Sequence, residues 1–229
     1  MKVELRSDDN RQYRGLLLDV GTVILKSFFE TRAEFERLLR LPQGSLPWAG
    51  PLDPSTDPLW HQVVAGEFSE REYWNRRASE VGALVGEKWT IQDFCRKHGE
   101  LPPSVIFREE ILALITSAKR AGLKLGILSN ELELFQGKDW LQTTPFGHLV
   151  DGVVDATHTN ILKPDPRAFA LALEVLDLRA DQTVFIDDQP RNVAGGSAAG
   201  IRSFHLDVTN PLECIAQARQ ALGLPAAKS

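Results

Sequence analysis

Four short segments carry the side chains with which this chain could do chemistry. LLLDVGT (Leu16 to Thr22) ends an apolar run on Asp19, and GILSN (Gly126 to Asn130) ends on Ser129 and Asn130. Lys163 precedes Pro164-Asp165-Pro166, and VFIDD (Val184 to Asp188) ends on two carboxylates. An Asp at a strand end can attack phosphorus and give an aspartyl-phosphate, which divides one hard hydrolysis into two easier steps. Gly21, two residues on, permits a sharp turn and close backbone approach. Asp187 and Asp188 repel each other unless a cation sits among them, and Mg2+ takes one or two carboxylates plus waters and phosphate oxygens. Asn192 is spaced to orient a water on such a cation. Ser129, Asn130 and nearby backbone N–H groups make an anion cradle at a helix start. Lys163 is a compact charge that could hold phosphate and offset the carboxylates. Singly, each has a plainer reading: a turn-capping Asp, a solvated acidic turn, a Ser-Asn turn, a surface Lys. Jointly they point to a phosphate and a divalent cation in one crevice.

That chemistry requires all four segments at one edge of one sheet. Five apolar runs rich in Val, Ile and Leu read as strands: Gly15–Val20, Leu123–Leu128, Leu149–Val154, Thr183–Ile186 and Ile201–Leu206. Short continuous runs fit parallel strands buried on both faces. Ile111, Leu114, Ile115 and Ala118 recur at helical spacing, and Gly122 falls where a C-terminal cap belongs. Asp165 followed by Pro166 reads as an N-cap and first helical residue. The small-residue run Ala194 to Gly200 would let a helix pack closely under the acidic loop. Strands alternating with helices imply an α/β parallel sheet, in which ligands gather beyond the carboxyl ends of the strands.

About a hundred residues separate the first strand from the second, far too many for a structureless loop. Helical patterns at Thr31–Leu41, Pro58–Ala65, Ser69–Val81 and Thr90–His98 fill this interval, and Ser69 with Glu72 has capping-box spacing. The expected organisation is a core of residues 1–26 and 102–229 with a helical module, residues 27–101, inserted after the first strand. Trp48, Trp60, Trp74 and Trp89 lie in the module and are expected to pack its interior. The first dozen residues and Pro225 to Ser229 are expected to be loosely held.

A net charge of −5 argues against nucleic acid or an anionic membrane as the main partner. Cys95 and Cys214 match no zinc spacing and read as buried thiols. The N-terminal residues lack the apolar run of a signal peptide, and no run reaches membrane-spanning length. A cytoplasmic location, with no membrane and no nucleic acid as partner, is the expectation.

The ordered motif set resembles the haloacid dehalogenase superfamily of hydrolases, mostly Mg2+-dependent phosphatases, over nearly the whole chain. LLLDVGT resembles the first motif, with Asp19 as nucleophile; ILSN the second, with Ser129 binding phosphate; LKPDP the third, through Lys163; and VFIDDQPRN the fourth, with Asp187 and Asp188 as the acidic pair. GEFSEREYW (Gly66 to Trp74) is similar to cap sequence of the glucose-1-phosphate phosphatase and epoxide hydrolase N-terminal domain branch. The resemblance implies a Rossmann-like core with an inserted α-helical cap. It also implies Mg2+ held by Asp19, the Gly21 carbonyl, Asp187 and Asp188, with phosphate held by Ser129, Asn130 and Lys163.

One position departs from that pattern. The family's first motif carries a second Asp that moves the leaving-group proton, and Gly21 stands there instead. The expected activity is Mg2+-dependent hydrolysis of a small phosphorylated metabolite, a sugar phosphate among the candidates, by a monomer or homodimer. A catalytically weak protein that binds a phosphorylated ligand or a protein partner is the first alternative, and a metal-independent 2-haloacid dehalogenase the second. Glu131 and His158 are candidates for the missing proton carrier, and Arg71, Arg76 or Arg77 for contact with the substrate's far end.

Overall fold

The computed structural model describes residues 12–226. Residues 1–11 and 227–229, on which most of the expected loose ends fall, lie outside the described residues. The strands are β1 (Gly15–Leu18), β2 (Lys124–Ser129), β3 (Gly152–Asp155), β4 (Thr183–Asp187) and β5 (Arg202–His205). They form one parallel sheet in the order β3-β2-β1-β4-β5. The helices are α1 (Phe28–Leu38), α2 (Pro58–Val64), α3 (Glu70–Leu84), α4 (Ile91–His98), α5 (Pro103–Ile106), α6 (Glu109–Arg120), α7 (Leu132–Gln136), α8 (Trp140–Thr143), α9 (Ala156–Thr159), α10 (Pro166–Leu176), α11 (Pro190–Ala198) and α12 (Pro211–Ala221).

Side-chain alternation along the strands divides the core in two. Leu16, Leu18, Leu125, Ile127, Val184 and Ile186 point to the face covered by α6 and α12, and that cluster runs on into the aromatic residues of α1, α3 and α4. Leu17, Leu128, Val154 and Phe185 point to the other face, against Phe169, Ala172 and Leu176 of α10. The small residues of α11 have the expected use. A Cβ on Gly196 would fall 2.6 Å from Ser203 Oγ and 2.9 Å from the Phe185 ring, and one on Gly195 would fall 2.7 Å from Pro164. Larger residues there would push α11 off the sheet and off the Lys163 loop.

The inserted helices α1 to α4 surround a stack of rings. Trp74 meets Phe28 at 4.7 Å, Phe29 at 5.0 Å and Tyr73 at 5.0 Å, so the tryptophans at 48, 60 and 74 pack as expected. Cys95 and Cys214 are free, buried thiols, and burial pushes both up to about 12.

Several boundaries differ from expectation by one to three residues, three of them for identifiable reasons. β1 stops at Leu18 because the chain then kinks, with Thr22 at φ 60. β3 begins at Gly152, not Leu149, because the Asp151 carboxylate accepts from Leu125 N–H at 2.7 Å and takes a carbonyl's place in the ladder. α1 begins at Phe28, not Thr31, because Ser27 and Glu30 close a capping box that satisfies its first N–H groups.

Candidate active site

Register places the expected residues together. Leu18 pairs with Ile127 on one side and Ile186 on the other, so Asp19 leaves the sheet between Ser129 and Asp187. Asp19 N–H donates to Ile186 O at 3.0 Å, which fixes where the turn begins. The turn itself is held from outside. Arg108, 2 % exposed, donates to Thr22 O at 2.9 Å and forks onto Glu30 at 2.9 Å through both terminal nitrogens. A β-branched residue at positive φ is strained, and such strain persists where its surroundings over-determine it.

Lys163 is the centre of the site. It is 3 % exposed, and its Nζ donates to Asp19 Oδ1 at 2.7 Å and to Asp187 Oδ2 at 2.6 Å. Burial opposes its charge, but the two carboxylates outweigh that and hold its pKa above the ordinary lysine value. Asn130 positions it. The Asn130 amide donates to Lys163 O at 3.2 Å and accepts from Lys163 N–H at 2.7 Å. Both side-chain functions of Asn130 are therefore spent on the lysine loop, which leaves its backbone for the phosphate role expected of it.

The acidic pair divides its labour. Asp187 is fully buried; its Oδ1 accepts from Gln189 N–H at 2.9 Å and Asn192 Nδ2 at 3.0 Å, while Oδ2 takes Lys163. Its oxygens are committed, which favours a positioning role over the direct ligation expected of it. The Asp188 carboxylate has no hydrogen bond or ion pair among the described residues; His205 Nε2 donates to its backbone carbonyl at 2.9 Å. Burial first, then Asp19, Asp187 and Glu70, push the Asp188 carboxyl well above the usual range. Asp19 rises to about 6, chiefly through burial, with Lys163 opposing. Asn192 Oδ1, in a residue 3 % exposed, has no partner among the described residues.

This donor set fits a small hard cation. An unpartnered carboxylate, a second one beside it and an orphaned amide oxygen are groups that a hydrated divalent ion satisfies. No cluster of three or more His, Cys, Asp or Glu with metal-holding geometry occurs among the described residues.

Ser129 is buried at the end of β2, and its Oγ accepts from Glu131 N–H at 3.4 Å. Asp155, at the end of β3, was not foreseen. Its carboxylate accepts from Leu132, Glu133 and Thr157 N–H at 3.2, 2.8 and 2.9 Å, so one side chain caps both α7 and α9 and sets the loop after Ser129. The two expected proton carriers are occupied elsewhere. Glu131 pairs with Arg71, and the exposed His158 pairs with Glu133 at 2.7 Å. Of the other arginines, Arg77 turns inward to Asp57 and Arg76 lies over Phe68. Glu70, at the start of α3, also escaped the sequence reading. It accepts from Gln189 Nε2 at 2.5 Å, next to the acidic pair.

A family model described as haloacid dehalogenase-like hydrolase matches residues 24–200. The chain belongs to that family of hydrolases. It is 34 % identical to Phosphatase MT3486 of Mycobacterium tuberculosis (strain CDC 1551 / Oshkosh) over 190 residues, covering 80 % of this chain and 83 % of the relative. It is 25 % identical over 218 residues to Acyl-CoA dehydrogenase family member 10 of Mus musculus; that match takes in 94 % of this chain but spans only 20 % of the mouse protein. The putative HAD-hydrolase YfnB of Bacillus subtilis, solved with magnesium, shares the fold at a TM-score of 0.63 and 22 % identity, over 86 % of this chain and 87 % of that one. The parallel sheet of this chain, flanked by helices and carrying the inserted helices α1 to α4, is a Rossmann-like core with an inserted helical cap. No helix among the described residues is long and apolar enough to cross a membrane.

Proposed function

We propose that this hydrolase is a Mg2+-dependent phosphatase acting on a small phosphorylated metabolite through an aspartyl-phosphate on Asp19. The observation that carries the reading is the buried Lys163 ammonium bonded to Asp19 and Asp187 at once, beside the unpartnered Asp188. Asp19 Oδ1 is held by Lys163, so attack falls to Oδ2, on the side where a Cβ on Gly21 would lie 3.9 Å away. Lys163 and Ser129 hold the equatorial oxygens, on which charge spreads in the transition state. Asp187 and Asn130 set Lys163 from either end. Asp19, the Gly21 carbonyl and Asp188 would hold Mg2+, which offsets the carboxylate charge and polarises the phosphoryl group. The name of the mycobacterial relative supports phosphate ester chemistry. The crowded acidic pair argues against metal-independent dehalogenation. Residues 27–101 form the cap over a core of residues 1–26 and 102–229, and the protein works in the cytoplasm.

The test is a panel of phosphate monoesters, with and without Mg2+, beside Asp19→Asn. Turnover that requires both Mg2+ and Asp19 supports the proposal. The absence of any turnover, with a phosphorylated ligand still raising the melting temperature, supports instead a binding protein, a reading that Gly21 favours because it supplies no proton.

A further inference from the structure

The site as described lacks a group to protonate the leaving alcohol. Gly21 has no side chain, Lys163 is bonded to two carboxylates, and Glu131 and His158 are paired elsewhere. One carboxyl at the acidic loop has no such commitment to a cation. Glu70 is the first residue of α3, fixed there by the Ser69 cap, and it leans from the inserted helices onto the residue that follows Asp188. Its donors are neutral: Gln189 Nε2 at 2.5 Å, and the Trp74 side chain one turn further along α3. The charges that reach it are Asp187 and Asp188 at the end of β4 and Arg191 at the start of α11. Trp74 is itself locked between Phe28, Phe29 and Tyr73, so the carboxyl is held by a rigid aromatic stack.

We infer that Glu70 is the proton carrier of this enzyme, supplied by the cap in place of the side chain missing at Gly21. The inference rests on the phosphatase reading. As Asp19 Oδ2 bonds to phosphorus, the bond from phosphorus to the ester oxygen breaks, and that oxygen keeps the electron pair and takes the Glu70 proton. The alcohol leaves. Glu70, now a carboxylate, takes a proton from water as the water oxygen attacks the aspartyl-phosphate. The bond from phosphorus to Asp19 breaks, its electron pair returns to Asp19, and phosphate departs with Glu70 protonated again. Burial raises the Glu70 pKa above the ordinary glutamate value, which keeps the proton available, while Gln189 and Trp74 moderate the shift. A carrier on the inserted helices acts only while they are seated on the core, so ester cleavage would be coupled to closure.

The experiment compares 4-nitrophenyl phosphate, whose leaving group needs no proton, with benzyl phosphate, which is similar in shape but leaves as an alkoxide. Both are assayed with Mg2+. Glu70→Gln keeps the size of the side chain and one acceptor oxygen but carries no transferable proton. It should slow kcat on benzyl phosphate by about 10²–10⁴-fold, the usual worth of general acid–base help, and on the nitrophenyl ester by far less. Gly21→Asp adds a carboxyl to a backbone at φ −62 whose Cβ meets nothing nearer than 3.9 Å. In the Glu70→Gln background it should restore most of the benzyl ester rate. Equal losses on the two esters, or no restoration in the double variant, would each overturn the inference while leaving the phosphatase intact. A wild type that cleaves neither ester overturns both readings.

Discussion

Asp57 in the inserted helices and Asp187 in the core are both buried aspartates bonded to a buried cation, yet their neighbourhoods balance differently. Asp57 accepts from Arg77 at 2.5 Å, the Tyr73 hydroxyl at 2.6 Å, Trp60 N–H at 3.1 Å and Gly50 N–H at 3.2 Å. One carboxylate meets one guanidinium and three further donors, Glu80 takes another nitrogen of that guanidinium, and among the described residues only Arg77 Nε goes without a partner. Asp187 is as well bonded, but it shares its one ammonium with Asp19, and Asp188 stands beside them with no partner. The first cluster is complete without a ligand. The second crowds three carboxyl groups around one ammonium, a surplus that protons or a cation can settle, and that is the physical difference between a brace and a site.

Substitutions can break this contrast. The largest effect belongs to Asp19→Asn, which should lower kcat by about 10⁴-fold or more, as loss of a nucleophile does, without lowering the melting temperature. Asp57→Ala should do the reverse. Arg77 would keep only the half-exposed Glu80, and loss of its buried partner costs up to about 3–5 kcal/mol, read by urea unfolding, while the kcat of the folded fraction changes little. Asp188→Asn should leave folding intact and remove most of the stabilisation by Mg2+. In the wild type, that gain should be about 2.7 kcal/mol at a hundredfold excess over the dissociation constant, read by thermal melts with and without the ion.

Acidity separates the two regions more finely. His98, packed on Phe28 and Phe35, is held down to about 3 by burial. Thr31 Oγ1 spends its hydrogen on Ser27 O at 3.1 Å, so it accepts from His98 Nε2–H at 2.7 Å. A depressed folded pKa gives stability that is present above about pH 6.5 and lost as pH falls toward 3, at roughly 1.4 kcal/mol per pH unit. Asp19 and Asp188 are raised, so in the absence of metal their contribution runs the other way: present at low pH and lost as pH rises through the folded value, about 6 for Asp19. Urea midpoints from pH 4 to 7 should show His98→Gln flattening the acid limb and Asp188→Asn flattening the neutral one. Identical profiles in both variants would refute the distinction.

The sheet was legible because its strands are continuous apolar runs, and the chemical residues because each closes one of those runs. Asp19, Asp187 and Asp188 meet as their positions at or just after strand ends require, and Lys163 joins them from the loop before α10. What the sequence hid were the residues whose partners lie far along the chain. Arg108 reaches Thr22 across 86 positions, Gln189 reaches Glu70 across 119, and Asp155 caps helices on both sides of it. No local pattern marks such residues, because each looks like an ordinary polar residue beside a helix or strand end. The grip of the Asn130 side chain on the lysine loop was hidden too, since a contact to a backbone 33 residues away leaves no periodic trace.

That contact has a consequence for how the protein ages. Asn130 both gives and receives a hydrogen bond with the same lysine backbone, a pairing that only an uncharged amide of this length can make. Spontaneous deamidation would turn its donor into an acceptor facing the Lys163 carbonyl, and would add one more negative charge to a crevice already oversupplied with them. A single hydrolysed amide would thus silence the molecule while its fold stayed whole.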